Sequence, residues 1–246
     1  MKKFFLGMLA ILALTLTACS DDDEGNPVVL DADGDGIADA IAKGAEILVL
    51  GIAPSGGKFP DAWDLPIGEA LKKGLSLING LHDDLNARFG NLLQHDHQRI
   101  WDVRKPKASY PIAKANAAKL SNKRLLLVGT DMAAGKMTTG LEIYHALRER
   151  KEKVGFVASG QIGITITGHG IPLDAIIVDQ AAGAVEEAVL AYEDKSIIII
   201  EGQGSLAHPG STATLPLLRG SQPTHLILCH KAAHTHLRYP VEHIPI

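Results

Sequence analysis

Residues 124–139 read RLLLVGTDMAAGKMTT. The first part is an unbroken apolar run closed by Gly129, as suits a buried strand, and the last part opens a helix. Between them lies a turn of small residues ending in Gly135 and Lys136. Strand, glycine-rich turn and lysine-led helix wrap backbone N–H groups around a phosphate, so the stretch predicts an α/β unit that holds a phosphorylated ligand. Gly129, Thr130, Asp131, Gly135, Lys136, Met137, Thr138 and Thr139 are the candidate contacts, with Lys136 the main countercharge.

The spacing departs from the strict loop G-x-x-x-x-G-K-[ST] at two places. Thr130 stands where the first glycine belongs, and Gly129 lies one place earlier. The sequence GTD followed by GK at this distance resembles the loop of dethiobiotin synthetase and its relatives. Met137 stands where a hydroxyl ordinarily ligates Mg²⁺, and a thioether is a poor ligand for a hard cation. Either Thr138 replaces it, with Glu201 as the second metal contact, or the loop holds phosphate without the usual ion.

Downstream, KVGFVAS and SIIIIEG predict further strands, the second covered on both faces because it lacks polar alternation. It delivers Glu201 to a GQGS turn, where an acid serves as base or metal ligand beside the N–H donors of residues 202–205. GQIGITITGHGIPLD, with its glycines and hydroxyls, suits a substrate loop carrying Gln161, His169 and Asp174. THLILCHK predicts the last strand, with Cys229 a buried thiol and Lys231 a candidate anion contact just after it.

Upstream of the phosphate loop, EILVLGIA, LSLING and RIWDV alternate with helical patterns over residues 61–73, with Leu65, Ala70 and Leu71 inward, and over residues 82–93. Such alternation predicts a parallel sheet. The chain begins differently. Met1-Lys2-Lys3, an apolar run and Leu16-Thr17-Ala18-Cys19 match a lipoprotein signal, so Cys19 is expected to carry lipid and anchor the chain to a membrane, the outer one in a Gram-negative cell. The acidic stretch that follows resembles the calcium loops of thrombospondin-type and dockerin modules, with Asp31, Asp33, Asp35 and Asp39 as candidate ligands, although position twelve is Ala42.

At 246 residues with a net charge of -4 and 4% aromatics, the chain has neither the basic patch nor the aromatic platform of a nucleic-acid binder. Its segments divide as signal 1–19, acidic tether 20–40, first α/β domain 41–108, linker 109–122 and phosphate-loop domain 123–246.

GIAPSGGKFP, INGLHDDL, RIWDVRKP, VGTDMAAGKMTTGLE, GQIGITITGHGIPLDAIIVD, IEGQGSLAHPGS and LRGSQPTHLILCHKA together resemble, in order and spacing, the DgcN-type D-glutamate N-acetyltransferases, a family long catalogued as a domain of unknown function. The resemblance runs from about Ile41 to the end. It implies an α/β protein with a partial Rossmann-like N-terminal domain and a P-loop NTPase-like, three-layer parallel-sheet domain, the whole a family core cut at both ends and joined to an export signal. It also implies acetyl-CoA as donor to the amine of a D-amino acid, and a cytoplasmic location as the alternative to the membrane.

On this reading the phosphate loop holds the coenzyme A phosphates, and Glu201, His169 or Asp174 takes the ammonium proton. Gln161, Gln203, Gly204 and Ser205 face substrate, and Arg219 or Lys231 clamps carboxylates. Two other readings stay open: a ligase or kinase using ATP and Mg²⁺ on Thr138 and Glu201, and a lipid-anchored remnant without catalysis. An oligomer is compatible with all three.

Overall fold

Most strands among the described residues are short apolar runs, and helices return the chain to the start of the next strand. Parallel sheets follow from that order. A computed structural model describes residues 11–12, 36–51, 54, 57–232 and 236–237. The chain falls into two units, Met1–Lys105 and Pro106–Ile246.

The first unit carries β1 (Ile11–Leu12), α1 (Ile37–Ala42), β2 (Ile47–Leu50), α2 (Asp64–Lys72), β3 (Ser76–Asn79), α3 (Leu85–Phe89) and β4 (Ile100–Asp102). Its strands pair in the order β1-β2-β3-β4, all parallel. Ile67, Ala70 and Leu71 of α2 pack with Leu48, Leu77 and Phe89 in one apolar core. Leu65, expected to face inward, is 80% exposed. Ile67 takes the inward position instead, two residues or about 200° further round the helix. The helix expected over 82–93 is shorter, because Asp84 accepts from Ala87 N and starts α3 late.

Two buried polar side chains, Gln98 and Asp102, tie the elements of this unit together. Gln98, fully buried, accepts from the N–H groups of Gln94 and His95 and donates to the carbonyls of Leu71 and Leu75. Asp102 ends β4 and receives Asn79 Nδ2 at 2.7 Å, Leu85 N at 3.1 Å, Asn86 N at 3.1 Å and Asn86 Nδ2 at 2.7 Å. Its carboxylate therefore fastens α3 to the ends of β3 and β4. Asp102→Ala removes the acceptor of four bonds, those from Asn79 and Leu85 buried and those from Asn86 part-buried, and is expected to cost about 2 kcal/mol. Both tryptophans, Trp63 and Trp101, lie in this unit, so the loss should show as a lower urea midpoint in their fluorescence; an unchanged midpoint would rule out the fastening.

The second unit carries β5 (Lys123–Gly129), α4 (Lys136–Glu149), β6 (Val154–Val157), α5 (Gln161–Thr167), α6 (Val178–Leu190), β7 (Ile197–Ile200), α7 (Thr214–Ser221) and β8 (His225–Cys229). The order is β6-β7-β5-β8, all parallel. Ile198, Ile199 and Ile200 are fully buried, as an all-apolar strand in a central position requires. Of the stretch expected to be a substrate loop, Gln161–Thr167 form the helix α5. Thr165 and Thr167 spend their hydroxyls on the carbonyls of Gln161 and Gly163, one turn back in the same helix.

Of the expected signal, Ile11 and Leu12 are described, paired with Ile47 and Leu48; Cys19 lies outside the described residues. Pairing in the sheet and removal with a signal peptide are mutually exclusive fates for that segment. Asp31, Asp33 and Asp35 also lie outside the described residues, while Asp39 sits exposed in the first turn of α1. Among the described residues, no group of three or more His, Cys, Asp or Glu side chains is placed to hold a metal ion. No helix among them is long and apolar enough to cross a membrane.

Candidate active site around the phosphate loop

β5 ends at Gly129, and α4 begins seven residues later at Lys136. The turn between them passes through the left-handed region at Ala133 (φ 53°) and Gly135 (φ 89°), which turns successive N–H groups toward one concavity. Gly135 is the position that requires glycine for its backbone angle. The N–H groups of Ala133 to Thr138 take no acceptor among the described residues. They form an anion cradle at the start of a fourteen-residue helix.

Lys136 is 7% exposed and donates from Nζ to the carbonyl of Asp131 at 3.0 Å. Its side chain runs between the ends of two adjacent strands. A Cβ on Gly129 would stand 2.9 Å from Lys136 Nζ, and one on Gly202 would stand 3.0 Å from Lys136 Cδ. Burial holds the ammonium below the ordinary lysine range, while the charges of Cys229, Asp131 and Glu201 oppose that shift.

Glu201 immediately follows β7 and is 4% exposed. Its Oε2 accepts from Ser159 N at 2.8 Å and Gly160 N at 3.1 Å, and Ser159 Oγ donates to its carbonyl at 2.9 Å. Gly163 in the first turn of α5 is what admits the carboxylate: a Cβ there would stand 2.9 Å from Glu201 Cδ. Burial raises the carboxyl above its ordinary range; the two backbone donors and Lys136 pull the other way. A buried carboxyl shifted up near a buried lysine shifted down marks the pair as a candidate functional site.

The segment after Glu201 is sewn to the phosphate loop. Leu206 N donates to the carbonyl of Gly129 at 2.9 Å, and Ser205 Oγ to that of Thr130 at 2.9 Å. Ser205 Oγ also accepts from Ala207 N and His208 N, and Ser205 N donates to Ser211 Oγ. Ser205, expected to face substrate, is thus a buried latch. Gln203 Nε2 is likewise engaged, by the carbonyl of Ser159 at 2.5 Å. The N–H groups of Gly202, Gln203 and Gly204 keep no acceptor among the described residues.

Thr130, Asp131, Lys136, Glu201 and Gly204 therefore gather at the C-terminal edge of the second sheet, where α/β proteins bind ligands. His230 joins them, with Nδ1 3.0 Å from Thr130 Oγ1, and Lys231 follows it, exposed. Asp131 is buried and accepts from Met132 N. Met137 and Thr139 are half-buried in the first turn of α4, where Thr139 N donates to the Gly135 carbonyl. Thr138 is exposed and makes no hydrogen bond to Glu201.

Three expected residues are elsewhere. His169 lies beyond the far end of α5, with Nδ1 bonded to the Thr167 carbonyl and Nε2 to the Tyr192 hydroxyl. Burial pushes Tyr192 up to about 12, so that hydroxyl stays a proton donor. Asp174 is exposed on the 3-10 turn Leu173–Ala175. Arg219 is exposed in the last turn of α7; helices of a parallel unit run against the strands, so this end meets the N-terminal edge of β8, opposite the phosphate loop. Gln161 is half-buried in the first turn of α5.

Known proteins match the chain along most of its length. Residues 16–106 match the model of the DUF1611_N Rossmann-like domain, and residues 111–246 that of the DUF1611_C P-loop domain, both described as domains of unknown function. A D-glutamate N-acetyltransferase of Tritonibacter scottomollicae is 42% identical over 205 residues, and one of a Pseudoalteromonas species is 40% identical over 205 residues. Each alignment covers 82% of this chain and 61% of the relative, so the chain spans under two thirds of those proteins. The crystal structure of a DUF1611 family protein from Anabaena variabilis ATCC 29413 superposes with a TM-score of 0.78 at 49% identity, covering 82% of this chain and 60% of that one. With the two domain models matched in order, and the phosphate loop inside the second, the chain belongs to the DUF1611 family.

Proposed function

We propose that this chain transfers an acetyl group from acetyl-CoA to the amine of a D-amino acid such as D-glutamate. One observation carries the reading: the buried Lys136 side chain runs past Gly202, next to the buried Glu201, inside the turn after β5, while Met137 occupies the position of the usual Mg²⁺ ligand. Coenzyme A brings phosphates that need an anion cradle but no γ-phosphate to activate. The names of the relatives support the same chemistry.

In this mechanism the N–H groups of Ala133 to Thr138 and the Lys136 ammonium bind the coenzyme A phosphates. The substrate arrives as an ammonium and must lose a proton before it can attack; Glu201 takes that proton. Nitrogen then bonds to the thioester carbon, and the carbonyl electrons move to oxygen. The N–H groups of Gly202 to Gly204 are the donors available to that oxyanion. Collapse breaks the carbon–sulfur bond; the nitrogen gives up its second proton to become the amide, and the departing thiolate takes up a proton as free coenzyme A. Lys231, exposed just after β8 and next to His230, is the cation assigned to a substrate carboxylate.

Isothermal titration of the chain with coenzyme A and with ATP, each with and without Mg²⁺, tests this. Coenzyme A is expected to bind with the same affinity in both conditions, and acetyl-CoA with D-glutamate to release free thiol. ATP binding that requires Mg²⁺, with no coenzyme A binding, would overturn the proposal in favour of a ligase or kinase.

A further inference from the structure

His208 belongs to the segment latched onto the phosphate loop, yet no part of the chemistry above uses it. Its backbone N–H bonds to Ser205 Oγ at 3.0 Å, and that hydroxyl bonds to the Thr130 carbonyl at 2.9 Å. One hydroxyl thus separates His208 from the phosphate loop. Its ring is oriented by a local turn, for Gly210 N donates to Nδ1 at 3.0 Å. With Nδ1 accepting, the neutral ring carries its proton on Nε2. That Nε2 is closed off from solvent and has no hydrogen-bond partner among the described residues.

A donor shut away from water without an acceptor costs on the order of 1–3 kcal/mol, and folded chains keep few of them. Here the orphan belongs to a residue whose backbone is one hydroxyl away from the phosphate loop, in the same segment as the Gly202–Gly204 donors. We infer that His208 is a ligand-contacting residue whose Nε2–H donates to an anionic oxygen of a bound substrate once the 202–211 segment adjusts around it. The inference rests on the acetyl-transfer reading for the identity of the ligands. Two sources offer such an oxygen, a phosphate of coenzyme A and a carboxylate of the amino-acid acceptor.

Two variants separate the two ring nitrogens. His208→Asn keeps an oxygen that can accept from Gly210 N and so preserves the turn, but has no donor at the Nε2 position. His208→Gln keeps an NH₂ donor near that position. Coenzyme A and D-glutamate are titrated separately into the full chain, the acid with coenzyme A already bound. His208→Asn is expected to weaken one of the two ligands by about tenfold with an unchanged melting temperature, and His208→Gln to recover part of the loss. In ¹⁵N spectra of the wild type, the Nε2–H resonance should shift on adding the same ligand.

Weakening of coenzyme A alone assigns the phosphate, and weakening of D-glutamate alone assigns the carboxylate. Unchanged affinity for both in His208→Asn, with a wild type that binds them, overturns the role of His208 and leaves acetyl transfer standing. A wild type that binds neither overturns both readings.

Discussion

Glu201→Gln is expected to lower the turnover of acetyl transfer by about 10²–10⁴-fold while leaving coenzyme A affinity within about twofold of wild type. Glutamine matches the carboxylate in size, and its amide oxygen can still accept from Ser159 N and Gly160 N, so the β6–α5 turn keeps its shape. What disappears is the proton acceptor. The wild-type kcat should fall on the acid side with an apparent pKa above the ordinary glutamate value of 4.5, because burial raises this carboxyl. In the variant that limb should vanish.

Stability carries an independent signature of the same group. A carboxyl whose folded pKa is raised binds its proton more tightly in the folded chain than in the unfolded one. Its contribution is therefore greatest at low pH and declines as pH rises from about 4.5 through the raised value. Glutamine removes that decline, so the melting temperature of Glu201→Gln relative to wild type should rise across this window. A variant that keeps wild-type turnover, or that retains the acid limb, would remove Glu201 from the chemistry.

The elements legible in the sequence were those in which local pattern and tertiary demand agree. Residues 125–128 and 197–200 are apolar throughout because β5 and β7 lie side by side at the centre of the sheet, and the turn after the first carries its own signal in Gly135 and Lys136. GQIGITIT misleads because its glycine and β-branched residues are weak helix formers. What makes it helical is tertiary: Gly163 leaves room for the Glu201 carboxylate, and Glu201 satisfies the N–H groups that lead into the helix. Leu65 misleads for the opposite reason, since an apolar side chain at the surface carries no mark that separates it from one in the core.

Among candidate site residues, Lys136 and Glu201 can be placed from sequence because each closes a strand or turn of recognisable type. Arg219 could be placed only once the direction of α7 against β8 was known. His208 offers no period, and its one sequence signal is the HPGS turn in which it sits. Its unpartnered nitrogen exists only in three dimensions.

Lys136→Met should weaken coenzyme A binding by about 10²-fold or more without lowering the melting temperature. The methionine retains an unbranched stem of similar length in the narrow space between Gly129 and Gly202. The ammonium, in contrast, is held below its ordinary value of 10.5 by burial, so its desolvation is a cost the ligand-free fold bears. A lysine depressed in the folded state binds fewer protons there than in the unfolded chain. Its cost is fully present below the folded pKa and fades as pH rises toward 10.5, so the advantage of the variant should be largest near neutral pH.

Losing this charge also removes one of the influences that lower the Glu201 pKa, and the acid limb of any residual turnover should therefore move to higher pH. Lys136→Arg is not expected to rescue binding: its planar guanidinium must enter a space where even a Cβ on Gly129 would stand 2.9 Å from the lysine nitrogen. Unaltered coenzyme A affinity in Lys136→Met would mean that the phosphates are held elsewhere. A melting temperature several degrees lower would mean that the ammonium stabilises the ligand-free fold through its bond to the Asp131 carbonyl, rather than being kept there for a ligand.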